Sequence, residues 1–381
     1  MKITAVDVFV LKTPLDVPFA FSQGWVKQRA ATLVRVTADN GLTGWGEAFT
    51  QGLEPPEIAA AAIEHALKPL VLGQDPSQPA VLWQKMYVQT RDFGRKGSVV
   101  SAISAVDTAL WDLTGKFRGQ PVAKLLGGMF RHKVQPYATG FYRIHGKGES
   151  SRLAEEAIAH KEAGFSAMKV KLGFGIADDI EVMGCVSAAL NDPAIELMVD
   201  TNHGYGRSEA LTLGKELEQY NLRWYEEPVV PEDIDGYVEL RNKLAVPIAG
   251  GENEHTPFGF ANVIKAGALD VAQPDVGSCG GITAIRDIAA IAHANGVAVN
   301  PHVWGSAIAQ AASLQVIASL PIPHASVFAK EPVLEYDRSD HPFRQHLITE
   351  PWSVNDGMID IPTGPGLGIE VRMETVEKYQ A

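Results

Sequence analysis

Short apolar runs alternate with helical patterns from about Val134 to about residue 335. The apolar runs have the length and composition of buried parallel strands. The strands are predicted to end at Gly140, Lys171, Asp200, Glu226, Glu252, Asp275 and His302, with an eighth strand within 326–335. Helices are predicted near 151–163, 178–191, 208–220, 234–243, 257–266, 281–294 and 306–319. This repetition favours a (β/α)8-type barrel, although periodicity alone also allows an open doubly wound sheet.

The first third of the chain has an α+β pattern. Strands are predicted over 2–11 and 31–48, and the second is divided by the hairpin signal Asp39-Asn40-Gly41. A helical pattern follows from Pro55 to about Arg118. After Asp337 the chain is irregular and rich in proline and glycine. We therefore expect a smaller α+β unit beside the barrel.

Three carboxylates recur at an even interval, because Asp200, Glu226 and Glu252 are each 26 residues apart. Each follows an apolar run and precedes polar or turn residues. In a barrel the carboxyl ends of the strands meet at one mouth, so the three side chains are expected to converge there. Carboxylate oxygens suit a hard cation such as Mg²⁺.

Groups for proton transfer are predicted at the same mouth. Lys169 and Lys171 share one face of a strand, because side chains alternate along it. A lysine that acts as a base near neutral pH needs a pKa about 3 units below its usual value of roughly 10.4. Asp275 and His302 end consecutive predicted strands, so the carboxylate can orient the imidazole. Solvated surface lysines and a structural histidine are the alternatives.

Composition excludes several classes of function. The chain has 381 residues, a formal net charge of −12 and two distant cysteines. This charge argues against nucleic acid and anionic membranes as partners, and the cysteines indicate neither a disulfide framework nor a zinc site. No apolar run approaches the roughly 20 residues of a membrane span, and the N-terminus has the pattern of a strand. We expect a cytoplasmic protein.

The strand-end motifs resemble those of the enolase superfamily, in its mandelate racemase subgroup. The matching stretches, in order, are Ser101–Asp112, Lys169-Val170-Lys171, Asp200-Thr201-Asn202, Glu226-Glu227-Pro228, Gly251-Glu252, Gln273-Pro274-Asp275 and Pro301-His302. The resemblance implies a modified, TIM-type (β/α)7β barrel over 126–340. It also implies an N-terminal α+β capping domain over 1–125, completed by a C-terminal segment over 341–381 that returns to it.

The resemblance also implies roles for residues. Asp200, Glu226 and Glu252 would bind one Mg²⁺ per subunit. Lys171 would be one acid/base with Lys169 as its neighbour, and His302 with Asp275 would be the other. Asp275 stands where the muconate-lactonising branch has a lysine, which argues against that branch. Residues implied to contact substrate are Glu335, Asn202, Trp304 and, in the capping loops Pro18–Val26 and Ala48–Pro56, Phe21 and Trp25.

The step shared by this superfamily is removal of a proton α to a carboxylate, with Mg²⁺ stabilising the charge that develops. Further stretches, among them Pro301–Gly305 and Glu226–Glu232, resemble members that open lactones of aldarates. The predicted reaction is opening of a galactarate 1,4-lactone to a 3-deoxy-2-keto-hexarate. An acid-sugar dehydratase is the main alternative, and a racemase or epimerase is the third. A metal-stabilised protein without catalysis would not need both base candidates. A homo-oligomer is the common expectation for such enzymes.

Overall fold

The computed structural model describes residues 1–50, 52–322, 326–327 and 329–381. Position 51, in the second predicted capping loop, and position 328, in the window predicted for the eighth strand, lie outside the described residues. Among the described residues, no helix combines the length and the apolar character needed to cross a membrane.

The chain begins with a three-stranded antiparallel sheet of β1 (Ile3–Phe21), β2 (Gly24–Ala38) and β3 (Thr43–Ala48). The hairpin predicted at 39–41 is confirmed, since it joins β2 to β3. The first capping loop is different from the expectation, because most of Pro18–Val26 belongs to strands. Phe19 pairs with Val26 and Phe21 pairs with Gly24, so the segment is the tip of a long hairpin.

Helices follow this sheet. They are α1 (Glu57–Ala62), a π-helical turn (Ile63–Leu67), α2 (Lys68–Val71), α3 (Pro79–Thr90), α4 (Ser98–Arg118) and α5 (Val122–Leu125). The long helix α4 lies against β3, where Gly46 allows close approach. A Cβ atom at Gly46 would lie 1.9 Å from the carbonyl oxygen of Ala105.

The second part of the chain forms an eight-stranded parallel sheet. After the short strand β4 (Lys133–Val134), its strands are β5 (Pro136–Thr139), β6 (Ala167–Lys171), β7 (Glu196–Asp200), β8 (Tyr225–Glu226), β9 (Ile248–Gly250), β10 (Val271–Ala272), β11 (Ala298–Val299) and β12 (Leu334–Asp337). Between them run α6 (Ser150–Glu162), α7 (Ile176–Leu190), α8 (Arg207–Leu217), α9 (Ile234–Lys243), α10 (Thr256–Lys265), α11 (Gly281–Ala294) and α12 (Ala307–Ser319), with a 3-10 turn over Glu218–Tyr220 after α8.

Strand order identifies this sheet as a barrel of the (β/α)7β type. Consecutive strands are neighbours from β5 to β11, and β12 pairs with β5. A doubly wound sheet would instead reverse direction at a switch point, so that alternative is excluded. Side chains link the residues that follow β11 to β12 and to the residue before it: Asn300 Oδ1 accepts from Val333 N at 2.8 Å, and Glu335 Oε2 accepts from Val303 N at 3.0 Å.

The last part of the chain contacts both the barrel and the first sheet. Its elements are α13 (Pro342–Gln345), β13 (Ile359–Asp360) and α14 (Met373–Tyr379). Strand β13 pairs with β4, and the backbone N of Ala381 donates to Val10 O in β1 at 2.9 Å.

A buried carboxyl group joins α4 to the barrel. Asp107 Oδ2 accepts from Thr283 N at 2.8 Å, and Oδ1 accepts from Thr283 Oγ1 at 2.6 Å. Trp111 Nε1 donates to the same hydroxyl oxygen at 2.9 Å. Burial raises the pKa of Asp107 to about 7, even though the hydrogen bonds from Thr283 lower it.

We predict that Gly46→Ala destabilises the protein by at least about 2 kcal/mol, because backbone atoms must move to admit the new methyl group. Gly184→Ala is the control. Gly184 lies inside α7, and its Cβ would meet no atom nearer than 3.8 Å. This control should be neutral or stabilising by up to about 1 kcal/mol, since alanine favours helix. Urea denaturation measures both, and equal stability of the two variants would contradict the packing described.

We predict that Asp107→Asn removes a pH dependence of stability. Between about pH 4 and about pH 7 the unfolded carboxyl group has lost its proton, whereas the native group keeps it, so rising pH favours unfolding. The free energy of unfolding of Asp107→Asn, relative to the wild type, should therefore rise by about 2 to 3 kcal/mol from pH 5 to pH 8. Asp287→Asn, at an exposed position, is the control. A constant difference would be inconsistent with a raised pKa.

Candidate active site

The three evenly spaced carboxylates meet at the mouth of the barrel. Asp200 and Glu226 are the last residues of β7 and β8, and they pair in register. Glu252 lies two residues beyond β9, after Gly251, which has a φ of 124°. A Cβ atom at Gly251 would lie 2.8 Å from the ring of Phe260, so glycine permits this turn. One oxygen from each carboxylate lies within 4.8 Å of the other two.

Two buried lysines lie beside these carboxylates. Lys169 Nζ is 2.7 Å from Glu226 Oε1 and 2.7 Å from Glu335 Oε1. Lys171 Nζ donates to Asp200 Oδ2 at 2.5 Å and to Asn202 Oδ1 at 2.9 Å. The two lysines share one face of β6, as their spacing predicts.

A lysine that acts as a base needs a lowered pKa, but the pKa of Lys171 is raised in this structure. Burial is the largest single influence and lowers it, but the carboxylates of Asp200, Glu252 and Glu226 together outweigh burial, so the net pKa lies above the usual lysine value. The same balance, with Glu226 and Glu335 as the carboxylates, holds the pKa of Lys169 well above its usual value. A cation bound between the carboxylates would oppose their attraction and act in the lowering direction.

An imidazole and a carboxylate form the second proton-transfer pair. His302 Nδ1 is 2.7 Å from Asp275 Oδ2, and Gly277 N donates to Asp275 Oδ1 at 2.6 Å. His302 Nε2 lies 3.3 Å from Glu252 Oε2. Burial lowers the pKa of His302, but the charges of Glu252 and Glu335 and the hydrogen bond to Asp275 raise it to about 10.

A small cavity connects the two pairs. Its lining residues are Phe21, Tyr142, Lys171, Asn202, Glu252, His302 and Trp304. Lys171 and His302 therefore face the same space, and Glu252 of the carboxylate triad also lines it. Phe21, Asn202 and Trp304, expected to contact substrate, also lie here.

Two residues expected to contact substrate lie elsewhere. The Trp25 side chain is 44% exposed and does not line the cavity. The cause is hairpin register, since Trp25 pairs with Ala20, whereas Phe21 belongs to the opposite face. Glu335 lies behind the cavity wall, where Oε1 also accepts from Thr139 Oγ1 at 2.9 Å and Oε2 accepts from Val303 N.

Several residues around the site carry no sequence motif. Tyr142 lines the cavity from the loop after β5. At the hairpin tip, Ser22 Oγ donates to Thr201 O at 2.8 Å, and Gln23 Nε2 donates to Asn202 O at 2.7 Å. In the sequence, the polar pair Ser22-Gln23 stands between two strand-forming segments, which is typical of a turn and could have predicted this hairpin tip.

The donor set fits a hard divalent cation. Asp200, Glu226 and Glu252 are buried and provide oxygen ligands within mutual reach. Glu226 Oε2 accepts from Trp224 Nε1 at 2.8 Å and from Gln273 Nε2 at 2.7 Å, which fixes its orientation. Ligand carboxylates in metal sites are commonly oriented by such partners.

Known protein families match almost the whole chain. The family described as "Mandelate racemase / muconate lactonizing enzyme, N-terminal domain" matches residues 3–127. The family described as "Enolase C-terminal domain-like" matches residues 152–375.

Relatives of this chain include a cycloisomerase and a dehydratase. D-galactarolactone cycloisomerase of Agrobacterium fabrum is 40% identical over 100% of this chain and 99% of its own length. Arabinonate dehydratase of Saccharolobus solfataricus is 33% identical over 91% of this chain and 89% of its own length.

Solved structures of similar proteins have the same fold as this chain. The 3,6-anhydro-D-galactonate cycloisomerase of Zobellia galactanivorans superposes with a TM-score of 0.89 at 35% identity, covering 100% of both chains. A racemase of Streptomyces coelicolor with bound magnesium also has a TM-score of 0.89, at 29% identity and full coverage of both chains. This chain therefore belongs to the enolase superfamily of enzymes, with a mandelate racemase/muconate lactonizing enzyme type of N-terminal region followed by an enolase-like C-terminal region.

Proposed function

We propose that this enzyme removes a proton α to a carboxylate and then opens an aldarate lactone of the D-galactaro-1,4-lactone type by β-elimination, giving a 3-deoxy-2-keto-hexarate. The observation that supports the proton transfer best is the shared cavity. Lys171 and His302 both face it, and the carboxylate triad is at its edge.

Asp200, Glu226 and Glu252 would hold one Mg²⁺ per subunit, which would stabilise the negative charge that develops on the substrate carboxylate as the α-proton leaves. Lys171 and His302 are the two candidates for removing that proton and for returning one to carbon. Asp275 holds the imidazole through Nδ1, so Nε2 is the nitrogen directed to the reacting side. Lys169, which does not line the cavity, offsets the negative charge of Glu226 and Glu335.

The substrate assignment is supported by the relative at 40% identity, whose name specifies a galactarolactone. In such a lactone the ring oxygen is bonded to the carbon β to the free carboxylate, next to the acidic carbon, and it leaves as part of a carboxylate. Because a carboxylate is a stable leaving group, it needs no acid to protonate it on departure. One of the two proton-transfer groups can then serve to protonate the enol carbon.

An acid-sugar dehydratase is the second candidate function. It is favoured by the relatives named arabinonate dehydratase and D-galactonate dehydratase, each 33% identical. Here the leaving group is hydroxide from an open-chain acid, and His302 would protonate it. The two functions are distinguished by incubating the enzyme with galactaro-1,4-lactone and, separately, with open-chain aldarates and aldonates. Both reactions yield a 2-keto acid that can be assayed, so the substrate that yields this product identifies the reaction.

We further propose that the protein is a cytoplasmic homo-oligomer. Within each subunit, the boundaries between the capping domain, the barrel and the C-terminal segment would lie at about residues 125 and 340. The exposed Trp25 and Leu53 near the hairpin tip, each 44% exposed, are apolar surface that a second subunit could cover.

We predict that Mg²⁺ raises the melting temperature of chelator-treated protein, because a ligand that binds the native state stabilises it by about 2.7 kcal/mol at one hundred times its Kd. Asp200→Asn, Glu226→Gln and Glu252→Gln should each lose most of this rise. Asp107→Asn, a buried carboxyl group outside the triad, is the matched control and should keep it. A full rise in all three triad variants would contradict the assignment of the ligands.

We predict that Lys171→Ala and His302→Asn each lower turnover of galactaro-1,4-lactone by about 100-fold or more, the usual contribution of a general acid or base. In D₂O, the variant that lacks the first base should neither exchange the α-proton nor form product. The variant that lacks the other group should retain exchange. Lys215→Ala and His293→Asn, on the outer helices, are controls with wild-type rates. Full turnover by both site variants would refute the proposed roles.

A further inference from the structure

The loop that carries His302 is held mainly by carboxyl and guanidinium side chains from other parts of the chain. It covers residues 300–306, between β11 and α12. Val303 N donates to Glu335 Oε2 at 3.0 Å, and Ser306 N donates to Glu47 Oε1 at 2.8 Å. Glu47 belongs to β3 of the first sheet and also accepts from Ser306 Oγ at 2.5 Å.

Arg344 binds the carbonyl side of the same loop. It lies in α13 and its side chain is 7% exposed. Nε donates to Gly305 O at 2.7 Å, and Nη2 donates to Trp304 O at 2.5 Å and to Val303 O at 3.4 Å. Nη1 lies 3.4 Å from Asp337 Oδ2, at the end of β12. One guanidinium group thus binds three successive carbonyls and anchors them to a barrel strand.

The other candidate residues are held in place by backbone hydrogen bonds within strands or turns. Lys171, Asp200 and Glu226 are part of paired strands. Asp275 begins a turn in which its own carbonyl accepts from Ser278 N at 3.1 Å and from Cys279 N at 2.9 Å. The loop of His302 is held instead by one guanidinium group and two carboxyl groups that come from distant segments.

We propose that Arg344 is a positioning residue for His302 and Trp304, with Glu47 as the second anchor of their loop. This inference rests on the proposed function for its effect on turnover. A planar guanidinium group can satisfy three carbonyls at once, which neither methionine nor the single ammonium of lysine can reproduce. Without it, buried carbonyls lose their partners and the loop is expected to shift.

The test uses full-length, Mg²⁺-loaded protein labelled with [¹⁵N]histidine, and His302→Asn identifies the ring signals of His302 among the 11 histidines. Arg344→Met should move or broaden the His302 signals and lower kcat by about 10- to 100-fold, as for a misplaced catalytic group, with a smaller change in KM. Arg344→Lys keeps the charge beside Asp337 and should fold. We expect it to show the same changes to a smaller extent.

Arg131 offers a matched control. It is also a buried arginine that donates to two carbonyls, those of Ile317 and Leu320, and to the Glu331 carboxylate, but at the opposite end of α12. Arg131→Met should lower the melting temperature to a comparable extent while leaving the His302 signals and kcat unchanged. An equal effect of the two arginine substitutions on His302 would show that general destabilisation is the cause, and would overturn the proposal.

Wild-type His302 signals in folded Arg344→Lys and Arg344→Met would also overturn it. The NMR measurement needs no substrate, so it separates this inference from the proposed function. If no lactone or acid sugar is turned over but the His302 signals still shift, the proposed reaction fails and the positioning role stands.

Discussion

Concentration of negative charge in a buried barrel mouth is the constraint on which the rest of this structure depends. Asp200, Glu226 and Glu252 bring oxygens within 4.8 Å of one another and away from water, where like charges repel strongly. Lys169 and Lys171 are placed among them, each within 2.7 Å of a carboxylate oxygen. The site is therefore an assembly of opposite charges in which no member could be buried alone.

Much of this charged site was predictable from the sequence, because most of its members lie at the carboxyl ends of strands of one parallel sheet. Polar residues that end apolar strands at a regular interval must share one edge of a parallel sheet, so the convergence of Lys171, Asp200 and Glu226 follows from geometry. Glu252, Asp275 and His302 were predicted to end their strands, but they lie two to three residues beyond them. Their positions depend on turns, such as that at Gly251, and periodicity contains no information about turns of this kind.

The parts that could not be predicted are set by contacts between distant segments. Trp25 and Phe21 look equivalent in the sequence, but the register of one hairpin directs Phe21 to the cavity and Trp25 to the surface. Tyr142, Glu47 and Arg344 reach the site from irregular or remote segments that show no periodic signal. Glu335 was predicted from its motif to contact substrate, whereas its oxygens contact Lys169, Thr139 and Val303.

The two anchors of the His302 loop have a consequence for biosynthesis. Glu47 is made early and Arg344 late, with every barrel strand between them in the chain. Domains generally begin to fold during synthesis, from the N-terminal side. A nascent chain that has been translated as far as β12 already contains the carboxylate triad, both lysines and His302, but it lacks the guanidinium group that binds the loop carbonyls. Completion of the site is thus delayed until almost the whole polypeptide has left the ribosome.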